Sequence, residues 1–139
     1  MEKLLISACL AGVNCKYDGG NNLHPEILKL VQSGQAILVC PEQLGGLPTP
    51  RLASEIICNG VFNAIGQDVT DQFRKGAAEC LRLAKLYGIT KAIFKERSPS
   101  CGVHYIYDGT FSRTKIPGSG ITSGLLKENG IKIISEEEL

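Results

Sequence analysis

The sequence lacks an excess of either charge sign: 15 Lys and Arg stand against 14 Asp and Glu, a formal net charge of +1. A domain that holds duplex nucleic acid draws affinity from a basic face that releases counterions, so that class of partner has no support. No run approaches the ~20 apolar residues that span a bilayer. The apolar start, Met1-Glu2-Lys3-Leu4-Leu5-Ile6-Ser7-Ala8, is too short for a signal peptide and has no cleavage site. The expectation is a cytoplasmic protein with no membrane span. Its partner is expected to be a small polar molecule or a protein, and a homo-oligomer stays open. No repeat, linker or low-complexity tract interrupts the chain, and its 139 residues are an ordinary length for one domain. Residues 1–139 are therefore expected to form one.

Common catalytic signatures are missing as well. There is no Gly-x-Ser-x-Gly elbow, no Walker lysine motif and no His-Glu-x-x-His, which leaves hydrolase, NTPase and zinc-protease readings unsupported. No Cys-x-x-Cys occurs, so zinc-ribbon and thioredoxin readings lose their usual mark. Cysteine itself is plentiful, at positions 9, 15, 40, 58, 80 and 101. Disulfides are a poor default in a reducing cytosol. What matters is where each thiol falls relative to the strands and helices.

Four short apolar runs, Lys3–Ala8, Ala36–Val39, Lys91–Lys95 and Ile131–Ile134, read as buried strands. Helical periodicity lies between them. One helix is expected at about His24–Ser33, with a stripe of Leu23, Ile27, Leu30 and Val31 before Gly34. A longer one runs from Asp68 or Thr70 to Tyr87, and a third covers about Thr122–Asn129. Phe73, Ala77, Cys80, Leu81 and Ala84 share one face of the second. Recurrent strand–helix–strand order predicts an α/β domain of three layers with a mainly parallel, Rossmann-like sheet. Two hairpin excursions are expected: Ser54–Cys58 with Val61–Ala64 about Asn59-Gly60, and Tyr105–Tyr107 with Thr110–Ser112 about Asp108-Gly109. Cys40 opens a long loop, Glu96–Gly102 is a polar loop, and Glu136–Glu138 reads as solvated charge.

On this plan Cys9 and Cys40 end the first two strands and Cys101 sits in the loop after the third. Ligand sites of open parallel sheets collect at such carboxyl ends. A free cysteine is more often a small buried hydrophobe. Cys80, on an apolar helix face, and Cys58, in a hairpin strand, fit that description, and Cys15 lies in a polar loop. Around the other three the neighbours are suggestive. Pro41 and Glu42 follow Cys40, and Lys95-Glu96-Arg97-Ser98-Pro99-Ser100 precede Cys101. Lys95 and Arg97 would lower thiol pKa values and attract an anionic or carbonyl-bearing ligand. Glu42 and Glu96 are candidates for proton transfer. Three thiolates suit zinc or an iron–sulfur cluster. A cubane cluster normally takes four cysteines, so three would leave one iron open as a Lewis acid. His104, in Cys101-x-x-His104, is either a fourth ligand or an outward strand residue. Arg51 either anchors an anionic substrate group or makes a surface ion pair. Ser119, in Gly118-Ser119-Gly120, stands where a helix N-terminus would meet an anion or simply begins the helix.

Ser7-Ala8-Cys9-Leu10, Tyr17-Asp18-Gly19, Cys40-Pro41-Glu42, Leu47-Pro48-Thr49-Pro50-Arg51, Lys95 to Gly102, Tyr107-Asp108-Gly109-Thr110-Phe111 and Gly118-x-Gly120 together resemble the bacterial thiouracil desulfidase family, formerly a domain of unknown function. The likeness runs from about Leu5 to Ser135. It implies a 4Fe–4S cluster held by Cys9, Cys40 and Cys101 with one open iron, and an active-site serine at Ser98. Glu42 is the carboxylate expected to work with it. The function implied is removal of sulfur from a thiolated base as hydrosulfide without redox cycling. The other class open to these residues is a structural or regulatory module closed on zinc or a cluster, with no catalysis.

Overall fold

The structure, a computed structural model, describes residues 2–139. Its centre is β1 (Leu4–Ser7), buried along its whole length. A strand covered on both faces must be apolar on both, and Leu-Leu-Ile meets that demand. Leu5 points into a cluster with Cys80, Ala84, Phe94 and Leu126. Leu4 and Ile6, one position to either side, point into the opposite cluster with Leu10, Ile27 and Ile93. The period of two thus assigns the two faces of the sheet.

Helix α1 (Pro25–Gln32) carries Ile27 onto one face. It starts where His24 accepts the amide of Glu26, with Pro25 in the first turn. The chain then returns as β2 (Ala36–Val39), parallel to β1 with Leu4 opposite Ala36. After β2 comes a short helix, α2 (Pro41–Leu44), where a loop was expected. Pro41 at its first position is preset for a helical turn. The hairpin β3 (Ser54–Ile57) and β4 (Gly60–Asn63) follows. Its turn is Cys58-Asn59, one step before the expected Asn59-Gly60. Gly60 belongs to the strand, paired with Ile57, and a side chain there would strike the Phe62 ring and Thr70 Oγ1. Cys58 is consequently exposed at a left-handed φ of 55°, and does not pack.

Asp68 accepts the amide of Thr70 to begin α3 (Thr70–Tyr87), and left-handed Gly88 ends it. The chain re-enters the sheet as β5 (Lys91–Phe94) on the far side of β1 from β2. The second hairpin pairs β6 (Tyr105–Tyr107) with β7 (Lys115–Pro117), not with Thr110–Ser112. Asp108-Gly109 does not make a tight turn but opens a wider loop, closed by the Asp108 amide on Thr114 O at 2.9 Å. Helix α4 (Ile121–Glu128) and β8 (Lys132–Ser135) complete the parallel order β2-β1-β5-β8. The result is a single α/β domain with α1 on one face of a four-stranded parallel sheet, α3 and α4 on the other, and two antiparallel hairpins. The switch of direction lies at β1 and β5, where crevices open at the carboxyl ends of strands. No helix among the described residues is long and apolar enough to cross a membrane.

Two glycines fix the helix that follows Cys40. A Cβ on Gly76 of α3 would collide with Pro41 O, and one on Gly45 would collide with Gln72 O. The backbones of α2 and α3 touch there, and Glu42 rides on that contact. Gly76→Ala is expected to destabilise the fold by ~2–3 kcal/mol through overpacking and to displace α2. Urea denaturation of the variant against the parent measures it; an unchanged midpoint would show that the two helices separate freely.

Candidate metal centre

Each candidate thiol follows a strand of the parallel sheet. Cys9 sits in the 3₁₀ turn Ala8–Ala11 directly after β1. Cys40 is the residue from which α2 starts, and Cys101 lies in the turn after β5, buried. All three line one cavity of about 470 Å³ at the carboxyl edge of the sheet. Cys15 lines it too, with its carbonyl 3.8 Å from Cys40 Sγ. Cys80 does not; burial in the core raises its thiol to about 12. His104 is turned away, 2.7 Å from Glu138.

The thiols differ in electrostatics. The Cys15 thiol donates toward Cys40 and holds the Cys40 thiol below its ordinary value. Burial raises Cys9, although Asn22 and Lys95 pull the other way. Burial raises Cys101 well above the ordinary value, against hydrogen bonds from Ser7 and Ser100. A soft cation that accepts sulfur would relieve that cost, because a thiolate on a metal needs no proton. Thiolates on one zinc at ~2.3 Å must crowd within about 4 Å of each other. No three His, Cys, Asp or Glu side chains among the described residues converge tightly enough to hold a single metal ion. A cubane asks for less crowding, because each thiolate takes a different iron. The donor set fits a cluster better than a lone ion.

The loop that carries Cys101 is held by Glu96. This residue is only 2% exposed, and its Oε1 accepts the amides of Val103, His104 and Tyr105 at 2.8, 2.8 and 3.0 Å. Burial alone would raise its pKa, but those amides outweigh burial and hold it below the ordinary value. Glu96, a candidate for proton transfer by sequence, is instead committed to backbone. Glu136–Glu138, expected as solvated charge, form a turn that completes this loop. Glu136 pairs with Lys95 at 3.0 Å and accepts the Glu96 amide at 2.7 Å, while Glu137 pairs with Arg97 at 2.9 Å. Lys95 and Arg97 line the cavity with their charges already matched.

Arg51 is neither a free anion anchor nor a surface pair. Its side chain is 6% exposed, bonded to Glu42 Oε1 at 2.9 Å, to Pro48 O and Thr49 Oγ1, and to Cys15 O at 2.8 Å. Glu42 turns its other oxygen to Ser100 Oγ at 3.0 Å. Ser100 Oγ lies 3.0 Å from Ser98 Oγ, which also accepts the amides of Ser100 and Cys101. A continuous hydroxyl–hydroxyl–carboxylate chain therefore runs beside Cys101. Ser98 and Glu42 were candidates by sequence and Ser100 was not. Nothing in its spacing points to a carboxylate 58 positions earlier. Ser119 lies outside the cavity, bonded by Lys127. The amides that open α4 are spent on Pro99 O and Ser100 O, so that helix start is filled by the cysteine loop and not by an anion.

The 2-thiouracil desulfurase family model matches residues 4–138. The chain belongs to that family. Among solved structures it is similar to the 4Fe–4S-dependent thiouracil desulfidase TudS, with a TM-score of 0.96 and 41% identity, covering 100% of this chain and 93% of that one. It is also 46% identical to the uncharacterized protein YbbK of Bacillus subtilis, over 98% of this chain and 97% of that protein.

The Glu96 arrangement sets an acid limit. Its folded-state pKa lies below the ordinary 4.5, so its contribution is full above that value and disappears as pH falls through the folded-state value. Glu96→Gln is expected to cost about 2 kcal/mol at neutral pH, where a charge-assisted acceptor is lost. The gap between variant and parent should narrow below pH 4.5. Chemical denaturation across a pH series checks it; a gap independent of pH would rule out the carboxylate as the source.

Proposed function

We propose that this family member is an iron–sulfur-dependent desulfidase that releases sulfur from a thiolated nucleobase of the 2-thiouracil type as hydrosulfide, by hydrolysis and without net electron transfer. The observation that carries the reading is the junction of three thiols with the Ser98–Ser100–Glu42 chain on one cavity wall. Cys9, Cys40 and Cys101 would hold a 4Fe–4S cluster. When bound, such a cluster supplies one iron free of protein thiolate, a Lewis acid for the thiocarbonyl sulfur.

The protein's own part is proton handling and orientation. Exchange of C=S for C=O consumes one water and yields the oxo base, hydrosulfide and a proton. Arg51 occupies one oxygen of Glu42, so the other faces Ser100. Two backbone amides fix Ser98 Oγ as an acceptor, so its own proton points along the chain. A proton released by the attacking water is taken up at Ser100 Oγ, whose own proton passes to Glu42, while Ser98 holds Ser100 in place. Lys95 uses two N–H groups on Glu96 O and Glu136, and its third is free to meet a carbonyl oxygen of the base. Arg97 flanks the same opening, and Arg51 positions Glu42 without touching the substrate.

Anaerobic reconstitution followed by iron and sulfide analysis is the direct test. About four of each per chain are expected, as in a cubane. Cys9→Ala, Cys40→Ala and Cys101→Ala should each lose iron, while Cys80→Ala keeps it. Ser100→Ala should retain the cluster absorbance yet release hydrosulfide from 2-thiouracil ~10²-fold more slowly, the scale of one lost proton-transfer step. Uptake of a single zinc with no iron would overturn the reading.

A further inference from the structure

We infer that Phe111 is a specificity-determining residue of this site, an aromatic wall against which a planar heteroaromatic substrate stacks. The inference rests on the desulfidase reading and names how the ring is selected. Four non-glycine residues among those described have a left-handed φ, and three of them, Arg97 (66°), Phe111 (57°) and Arg113 (61°), line the cavity of the three thiols. A bulky side chain at positive φ is a true outlier. Such residues persist only where the surroundings over-determine them, and they gather where function uses the strain.

The surroundings of Phe111 do over-determine it. Glu55, on β3 of the other hairpin and itself buried, accepts the amides of Gly109 and Phe111 on one oxygen at 3.0 and 3.1 Å. Gly109 must be glycine there, with φ 91° and Ile56 O and Ile57 against the place of its missing side chain. The wide loop is thus tied down from outside itself. Core packing does not account for it, since Phe111 is left 38% exposed. What the loop gains is a ring at the cavity.

Two more rings join it. Tyr17 is 39% exposed, with its carbonyl fixed by the Arg51 amide at 2.8 Å, and Tyr107 stands at the end of β6. The chain has four Tyr, four Phe and no Trp; Tyr17, Tyr107 and Phe111, three of those eight, line this one cavity. Three aromatic side chains in a cavity that also carries thiols and hydroxyls favour a planar conjugated ring over an aliphatic thiocarbonyl, because every such ring offers a face to stack.

The test separates substrate contact from scaffold. Reconstituted parent, Phe111→Leu and Phe111→Gly are compared for hydrosulfide release from 2-thiouracil, for iron content and for melting temperature. Loss of one base–aromatic stack should raise KM about tenfold, with kcat within about twofold if the stack is made equally before and at the transition state. Iron content should not change. Phe111→Gly, which relieves the left-handed backbone, should melt at or above the parent temperature while binding worse. An unmoved KM in both variants would sink the inference, as would a KM change that comes only with lost iron and a lower melting temperature. A parent enzyme that loads iron but does not turn over 2-thiouracil would instead overturn the desulfidase reading, and this inference with it.

Discussion

One carboxylate oxygen, Glu96 Oε1, turns the chain after β5 back across the end of the sheet by collecting three consecutive amides. A polar segment at the edge of a parallel sheet has no ladder to join, and buried amides must find acceptors somewhere. Here they find one atom. Because that atom is fixed, Cys101 faces β1, Ser98 and Ser100 face α2, and β6 starts at Tyr105 beyond the cavity. Glu96 is itself held through its amide by Glu136 after β8. The fourth strand therefore supports the loop of the third.

Three cations of the cavity are matched by carboxylates. Arg51 has Glu42, Lys95 has Glu136 and Arg97 has Glu137. The most buried of them, Arg51 with Glu42, adds little net stability, and the recurrent use of such a pair is to fix geometry. The cost of separating them is what keeps Glu42 oriented, one oxygen on Arg51 and one on Ser100.

The parallel sheet was legible because a strand buried on both faces must be a short apolar run, and Lys3–Ala8, Ala36–Val39, Lys91–Lys95 and Ile131–Ile134 are such runs. Once those strands were placed, Cys9, Cys40 and Cys101 followed, because the carboxyl ends of neighbouring parallel strands lie on one side. Short-range signals did worse where distant contacts decide. Asp108-Gly109 reads as a tight turn, but Glu55, far away in the chain, takes two of the loop amides and holds it wide. Glu136–Glu138 read as solvated charge, although Lys95 and Arg97 wait for two of them. Arg51 read as either an anion anchor or a surface ion pair, because nothing local shows that Cys15 O and Glu42 enclose it. Ser100 was invisible for the same reason. Hydrogen bonds across dozens of residues leave no period in the sequence.

The order of these pieces along the chain bears on how the rim is made during synthesis. Cys9 and Cys40 emerge from the ribosome before Cys101. Cys101 follows after α3 and β5, and the Glu136 that anchors its loop emerges after β8. Domains take shape as their segments become available. Two thiols thus emerge before the third is fixed beside them. A guest held by all three would have to wait until β8 and Glu136 have emerged to brace the loop of Cys101.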